Sequence, residues 1–450
     1  MDKVILEKRQ YPRISANLPI KITPEFLGEV IDLSEAGLKF VLDKPLLLSK
    51  AQAKIELAAD EHIKTEFKII WSKHLVQENK FTYGVCFIRL KEKDIEILRS
   101  LALNNQIRPI LEKVSNQDEK GMITKFWLEE FKPYLNNLMN LSTQLEDGNI
   151  SLDKGSRELV IINNRIMEKC DELEVALNNK ILTKKIKKIF RDFCWGSASK
   201  SFIVKRAFEK PLGYPGDYKL IEVIYANTPV SEKIGYCIDQ YFLSNEFAVA
   251  IRNRRQKMLD LLIKNISEAN LDNISILNLG CGSSREINEM LSDKTMLSKS
   301  LSFSLVDQDK EALEFSKNML TNSPKNIKFN FLQHNILEYS KKPKEYVSIL
   351  KKQDIIYSIG LADYLPDRVL RDLISFCFSL LKPKGRLIIA HKDISRYKPL
   401  PPDWWCDWTF YSRDENYLLE IVDKSQLGKF KIEVTREPSG IIFFLTINKI

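Results

Sequence analysis

Histidine and cysteine are scarce in this 450-residue chain, at four and seven residues. Seven is an odd count, and no two cysteines form a C-x-x-C pair. That argues against a disulfide framework or a zinc site and for a reducing compartment. No apolar run approaches the ~18 residues of a membrane span. The charged start, MDKVILEKRQ, lacks the apolar core of a signal peptide. No internal repeat or low-complexity tract is visible. No block of one charge stands out either, because the net charge of +9 is spread along the chain. The run Lys184-Lys185-Ile186-Lys187-Lys188 reads as a solvated helix face, so no nucleic-acid partner is expected. What remains is a cytoplasmic globular protein, 44% apolar. At roughly 100–200 residues per domain it has room for two to four domains.

The rest of the chain is arranged around Ile276–Glu286, ILNLGCGSSRE. Ile274 to Leu279 is short and apolar enough for a buried parallel strand. Gly280-Cys281-Gly282 follows, then a helical pattern from Arg285. Strand, glycine turn and helix together let a ligand approach bare backbone. A second apolar strand, Leu301–Val306, ends in Asp307. That is roughly 20 residues on, where an acid can take ribose hydroxyls. A third glycine is absent, and Ser283 and Ser284 stand instead.

Strand–helix alternation continues to the end, as a doubly wound sheet requires. Lys310–Leu320 reads as a helix and Ile327–Leu332 as a third strand, followed by Asn335 and Ile336. Asp354–Ile359 is a fourth strand, running into Gly360–Leu365. Leu380–Gly385 (LLKPKG) gives a turn before a fifth strand, Arg386–Ala390. Phe430–Thr435 and Ile441–Asn448 read as an antiparallel hairpin. These elements resemble the class I S-adenosylmethionine (SAM) methyltransferases, with Asn278 and Asn335 standing where that family often has acids. The resemblance implies a cofactor site of Gly280, Cys281, Gly282, Asp307, Gln308, Asn335 and Ile336. Tyr214 and Arg254 are added from upstream.

Between about 1 and 104, short apolar stretches separated by turns suggest a small barrel. They are Leu18–Ile22, Glu29–Leu33, Leu38–Leu42, Ala53–Ala58, Ile63–Trp71 and Phe81–Ile88, with a helix over Lys91–Leu103. Arg9 and Arg13 frame an R-x-x-x-R motif, and Asp32-Leu33-Ser34-Glu35-Ala36-Gly37 is D-x-S-x-x-G. Paired arginines fork onto phosphates and stack on purines. Asp32 can accept from guanine, Ser34 can donate to phosphate, and Gly37 permits a tight turn. In this order, at the head of a barrel, the motifs resemble a PilZ domain, the bacterial receptor module for cyclic di-GMP. The resemblance implies a regulatory ligand bound by Arg9, Arg13, Asp32, Ser34 and Gly37.

Residues 105–270 read as a helical middle, and 271–450 as the Rossmann-like transferase. Ile123, Phe126, Trp127, Phe131, Tyr134, Leu135 and Leu138 mark one buried stripe, with Pro133 a kink or a restart. Leu159, Ile162, Ile166, Leu173 and Leu177 mark another. Leu212–Tyr218 (LGYPGDY) is either a plain turn or one whose tyrosines face a ligand. Arg252, Arg254 and Arg255 are either a solvated face or a partner for the cofactor's carboxylate or an acidic substrate. Three tryptophans in Lys398–Tyr411 either pack as core or close an apolar lid, the lid being preferred.

LGYPGDY, RNRR, YSIGLADYLPD and PPDWW…YSRDE resemble the bacterial methyltransferases linked to 3-hydroxypalmitic acid methyl ester, over about 110–450. That implies methyl transfer to a fatty-acid carboxylate. An ionised carboxylate needs no general base, and a sulfonium is a good leaving group, so positioning dominates. The candidate catalytic residues are Tyr364 and His391. His391 is a base for a hydroxyl or amine acceptor, or merely a polar residue at a strand end. The expected protein is a cyclic di-GMP-regulated SAM methyltransferase without a metal, and a homodimer stays open. The alternatives are another O-methyltransferase, acting on a protein carboxylate or small molecule, and a non-catalytic receptor scaffold.

Overall fold

A computed structural model describes residues 11–58, 61–269, 271–293, 296, 299–339 and 341–450. They divide into two compact units, residues 1–201 with 232–237, and residues 202–231 with 238–450. The helical middle expected from the sequence is thus shared between them.

The first unit opens with six strands, β1 (Ile14–Ile22), β2 (Phe26–Ser34), β3 (Gly37–Leu42), β4 (Lys50–Ala58), β5 (Glu61–Leu75) and β6 (Lys80–Arg89). They close into a barrel in the order β1-β2-β3-β6-β5-β4. Period-two alternation turns Ile20, Ile22, Val30, Phe40, Ile55, Ile63, Phe67 and Val85 inward, all fully or nearly fully buried. Phe40 anchors this core, stacked on Tyr83 with centroids 5.2 Å apart and meeting Phe67 edge-on at 5.7 Å. Gly37 starts β3 because β6 passes too close for a side chain. A Cβ there would lie 2.0 Å from the Val85 carbonyl oxygen.

Five helices follow: α1 (Glu92–Leu111), α2 (Gln117–Lys125), α3 (Lys132–Glu146), α4 (Leu152–Leu177) and α5 (Lys180–Ala198). α1 runs eight residues past its expected end, because Ile107 and Ile110 continue the buried face of Leu103. Pro133 neither breaks nor restarts the helical path. One π-helical turn, Phe126–Phe131, joins α2 to α3, and Pro133 lies in the first turn of α3. The missing proline N–H falls where a widened turn tolerates it. Every residue of the first expected stripe is buried, while Ile162 of the second is only partly so.

The second unit begins with α6 (Phe202–Glu209), α7 (Tyr218–Ala226), α8 (Lys233–Ser244, whose first residues count with the first unit) and α9 (Glu246–Glu268). Then come β7 (Asn273–Leu279), α10 (Arg285–Met290), β8 (Ser300–Asp307), α11 (Lys310–Met319), β9 (Ile327–Gln333), α12 (Pro343–Leu350), β10 (Gln353–Ser358), α13 (Asp367–Leu380) and β11 (Leu381–Lys392). α14 (Leu400–Cys406), α15 (Glu415–Asp423), β12 (Phe430–Arg436) and β13 (Ile442–Lys449) complete the chain. The seven strands form one sheet in the order β12-β13-β11-β10-β7-β8-β9. β7–β11 are mutually parallel and β13 is antiparallel to its neighbours. β7 and β10 are buried on both faces, which is why they read as unbroken apolar runs. β11 starts five residues early. The expected LLKPKG turn is a bulged entry to the strand, with Leu381 already paired to Gln353. Among the described residues no helix is long and apolar enough to cross a membrane, and all seven cysteines are free thiols.

One ion pair ties the barrel to its helices inside the first unit. Arg99 on α1 donates to both carboxylate oxygens of Glu35, at 3.0 and 2.8 Å, and to Asn136 of α3 at 2.7 Å. Both charged side chains are more than nine-tenths buried. Removing one partner of such a pair strands a buried charge. Arg99→Ala should cost about 3–5 kcal/mol in urea denaturation, and Glu35→Ala with Arg99→Ala together should cost less than the two separate losses added. An unchanged midpoint for Arg99→Ala would show that the pair contributes nothing.

Candidate functional site

β7 crosses over to β8 while its neighbour β10 crosses to β11, so the two connections leave the sheet in opposite directions. Open α/β sheets bind ligands in the crevice this creates at the strands' C-terminal ends. The turn after β7 is shaped for it. Gly280 and Gly282 hold φ of +68° and +54°, which side chains disfavour. A Cβ on either would meet nothing closer than 3.7 Å, because both face open space. Gly280 and Cys281 donate their N–H groups to Val306 O at 2.9 and 3.0 Å, which locks the turn to β8. Asp307, at the end of β8, is 6% exposed. It accepts from Gly282 N at 2.9 Å and Asp309 N at 3.0 Å. Burial pushes its carboxyl above the usual carboxylate range, against the pull of those backbone donors.

The turn forms one wall of a cavity of about 370 Å³. Leu212, Gly213, Tyr214, Gly216 and Tyr218 form another, so LGYPGDY is both turn and wall. Its Asp217 is structural, capping α7 through Leu220 N at 3.1 Å and taking Arg206 Nε at 2.7 Å. The arginines of α9 separate by helical rotation. Arg254 lines the cavity, Arg252 donates to Leu243 O at 3.0 Å, and Arg255 pairs with Glu289 at 3.0 Å. The tryptophan-rich segment is also two things at once. Pro401 and Pro402 fit the first turn of α14, and Trp404 and Trp405 are core. Trp408 and Phe410 reach the cavity, with Trp408 Nε1 donating to Tyr364 Oη at 2.7 Å.

Gly280, Cys281, Gly282, Asp307, Gln308, Asn335, Ile336, Tyr214, Arg254 and Tyr364 all line this one cavity. Asn335 also accepts from Leu337 N at 3.0 Å, which orders its loop. His391 is the exception, and the catalytic expectation for it is corrected. It is 1% exposed and is not among the residues lining the cavity. Its Nδ1 is 2.7 Å from Lys392 O, which can only accept. Its Nε2 is 3.1 Å from Arg413 Nη1, which can only donate. The imidazole is therefore neutral with both nitrogens occupied, consistent with a pKa pushed down by burial. The polar strand-end reading of this residue is the one the geometry fits.

Glu286 was missed, although it lies inside the glycine-turn motif. It is 3% exposed and lines the cavity. Its Oε1 accepts from Asn278 Nδ2 at 3.1 Å and Tyr357 Oη at 2.8 Å. Desolvation raises its pKa to about 7. The clue in the sequence was Asn278, an amide at the end of β7 eight residues before Glu286.

In the first unit, β1–β2 pairing brings Arg13 against Asp32 as an ion pair. Ser34 Oγ donates to Gly37 O at 3.0 Å across the β2–β3 turn. Arg13, Asp32, Ser34 and Gly37 thus meet at one end of the barrel, while Arg9 lies outside the described residues. Tyr11, between the two arginines in sequence, has its hydroxyl pKa raised by burial and by the charge of Glu35.

The PilZ domain family matches residues 7–104, and a methyltransferase domain family matches residues 270–432. The chain therefore carries a PilZ domain and a methyltransferase domain. No curated protein matches it. Among solved structures, a protein from Bordetella parapertussis titled a possible exported protein aligns over 70% of this chain and 96% of its own, at 12% identity and a TM-score of 0.42. Magnesium protoporphyrin IX methyltransferase from Synechocystis PCC 6803 with bound SAH aligns over 46% of this chain and 88% of its own, at 14% identity and 0.34. An inhibitor of motility from Bacillus subtilis aligns over 23% and 53%, at 21% identity and 0.22. At these scores the superpositions carry no further weight.

The Glu286 carboxyl makes the site sensitive to pH. The folded protein binds this proton more tightly than the unfolded chain. Its contribution to stability is therefore complete below pH 4.5 and is lost as pH rises to about 7. The shift corresponds to about 3 kcal/mol. Tyr357, Glu289, Arg255 and Tyr225 surround the group. Relative to Glu286→Gln, which has no proton to lose, the wild type should lose about that much stability across the window. Paired thermal denaturation at several pH values checks this, and a difference independent of pH would show that the carboxyl ionises as it does in water.

Proposed function

We propose that this enzyme methylates the carboxylate of a 3-hydroxy fatty acid or a similar small acid, under control of cyclic di-GMP. The observation that carries the reading is the cavity at the sheet's switch point, where the residues expected to hold the cofactor meet an aromatic wall. When bound, SAM supplies a methyl group already activated by the sulfonium. Asp307 accepts from the ribose hydroxyls, and the two glycines let the ligand lie against backbone. Asn335 and Ile336 border the adenine. Tyr364 accepts from Trp408, and burial holds its own proton firmly. That hydroxyl is left to donate to the acceptor's oxygen and orient it. Phe247, Trp408 and Phe410 keep water out.

The volume lies at the low end for small-molecule sites. The acid's reacting end must reach the cofactor, and a long acyl chain must leave the cavity. A protein carboxylate reaching inward would meet the same walls. Incubation with SAM and a panel of hydroxylated and plain fatty acids, followed by mass spectrometry, should give a methyl ester and S-adenosylhomocysteine. Release of S-adenosylhomocysteine only with a protein substrate would overturn the fatty-acid reading.

Asp307→Ala should weaken SAM binding roughly ten- to a hundredfold in calorimetry. Unchanged affinity in the folded variant would remove Asp307 from the site.

The regulatory half rests on the cluster of Arg13, Asp32, Ser34 and Gly37. Cyclic di-GMP would open the Arg13–Asp32 pair, and the nearby Glu35–Arg99–Asn136 chain would carry that change into α1 and α3. Arg13→Ala should abolish dinucleotide binding and leave SAM affinity intact. If the sites communicate, each ligand must shift the other's affinity by the same factor, typically about 5–150-fold. Equal affinities and equal turnover with and without the dinucleotide would make the barrel a passive attachment.

A further inference from the structure

The end of β11 buries a lysine. Lys392, the last residue of the strand, is 1% exposed, and its Nζ is buried without a hydrogen-bond partner. Lysines are almost never buried so fully unless paired. Nζ lies instead against two rings, 2.9 Å from the centroid of Phe410 and 5.3 Å from that of Phe247. Ring faces attract a cation but stand in poorly for the oxygens that an ammonium's three donors seek. Asp363 meets this residue through the backbone, accepting from Lys392 N at 3.1 Å. Burial pushes the ammonium down to about 7, although the charges of Asp363 and Asp403 favour it.

Both rings belong to the cavity. Phe247 and Phe410 line it and Lys392 is not among the lining residues, so the buried amine stands directly against the aromatic wall. The two rings are held differently. Phe247 sits on α9, is buried, and stacks on Tyr397 with centroids 5.5 Å apart. Phe410 lies in the irregular segment between α14 and α15 and is only partly buried. Its ring is also 5.6 Å from that of Tyr364, another lining residue. The less constrained ring is therefore the one that covers the lysine.

We propose that Lys392 is the charge receptor for the methyl acceptor: an anionic carboxylate entering the cavity turns the Phe410 ring aside and pairs with the ammonium. This rests on the carboxylate reading of the site and adds to it the residue that selects an acid over a neutral molecule. One carboxylate oxygen meets Lys392, and the other stays beside Tyr364. The methyl ester is neutral, so the product loses the contact and the ring returns over the lysine. A buried charge left unpaired by the wrong ligand and paired by the right one discriminates by charge.

The test compares a charged and a neutral form of one molecule, 3-hydroxydecanoate and 3-hydroxydecanamide. Binding is measured by calorimetry on the full-length protein with saturating S-adenosylhomocysteine. The wild type should bind the acid more tightly than the amide. Lys392→Met keeps the length of the side chain and removes its charge. It should weaken the acid roughly ten- to a hundredfold and leave the amide unchanged. In turnover the same variant should raise KM for the acid by a similar factor and change kcat less. Equal loss of both ligands would make Lys392 a packing residue, and a loss confined to kcat with acid binding intact would make it a proton acceptor; either overturns the proposal. If Lys392→Met does not fold, the wild type still decides, because equal affinity for acid and amide overturns the proposal. Binding of neither ligand would sink the fatty-acid reading and the proposal together. A preference for the acid that survives in Lys392→Met would sink the proposal only.

Discussion

β7 and β10 lie side by side, and their crossovers leave on opposite sides of the sheet. Right-handed connection of parallel strands leaves no other way to extend the sheet in both directions from its middle. A gap therefore opens above the C-terminal ends of these two strands, and the rest of the second unit is built to close it. α9 and the LGYPGDY turn come from before the sheet. The 3₁₀ turn Ala362–Tyr364 and the segment around Trp408 come from after β10 and β11. Elements more than a hundred residues apart share one cavity because one topological switch leaves one hole.

The electrostatics of that cavity follow from its depth. Asp307, Glu286, Asp363 and Arg254 are all largely buried, and burial raises the cost of each charge. Each meets that cost differently. Asp307 collects backbone N–H groups. Asp363 accepts from Lys392 N at 3.1 Å and lies beside His391, and it is held below the usual carboxylate range despite its burial. Glu286 has neutral side-chain donors, and desolvation raises its pKa to about 7. The barrel shows the contrasting solution. Glu35 and Arg99 are as deeply buried but fully paired, and Asn136 extends the pair to a second helix.

The long periodic elements were legible because their signals are local. All six barrel strands and all seven sheet strands lie where alternation or an apolar run placed them. The glycine turn and Asp307 were legible for the same reason, since backbone angles and strand ends are written over a few neighbouring residues. The departures came where distant residues decide a local outcome. β11 starts early because Gln353 is there to pair with Leu381. α14 forms in a proline-rich stretch because Trp404 and Trp405 have a core to enter. His391 looked like a base, but Arg413, from 22 residues later, takes its second nitrogen.

By itself the sequence determined the two domains, their order and the motif that stands in each. Each of these depends on the spacing of residues close together in the chain. Only the tertiary structure decided which arginine of RNRR turns inward, that LGYPGDY walls the cavity, and that Asn278 is matched by Glu286. Those facts depend on which helix face meets which strand end. Packing decides that through the burial of side chains from many elements at once, and no short window of sequence contains it.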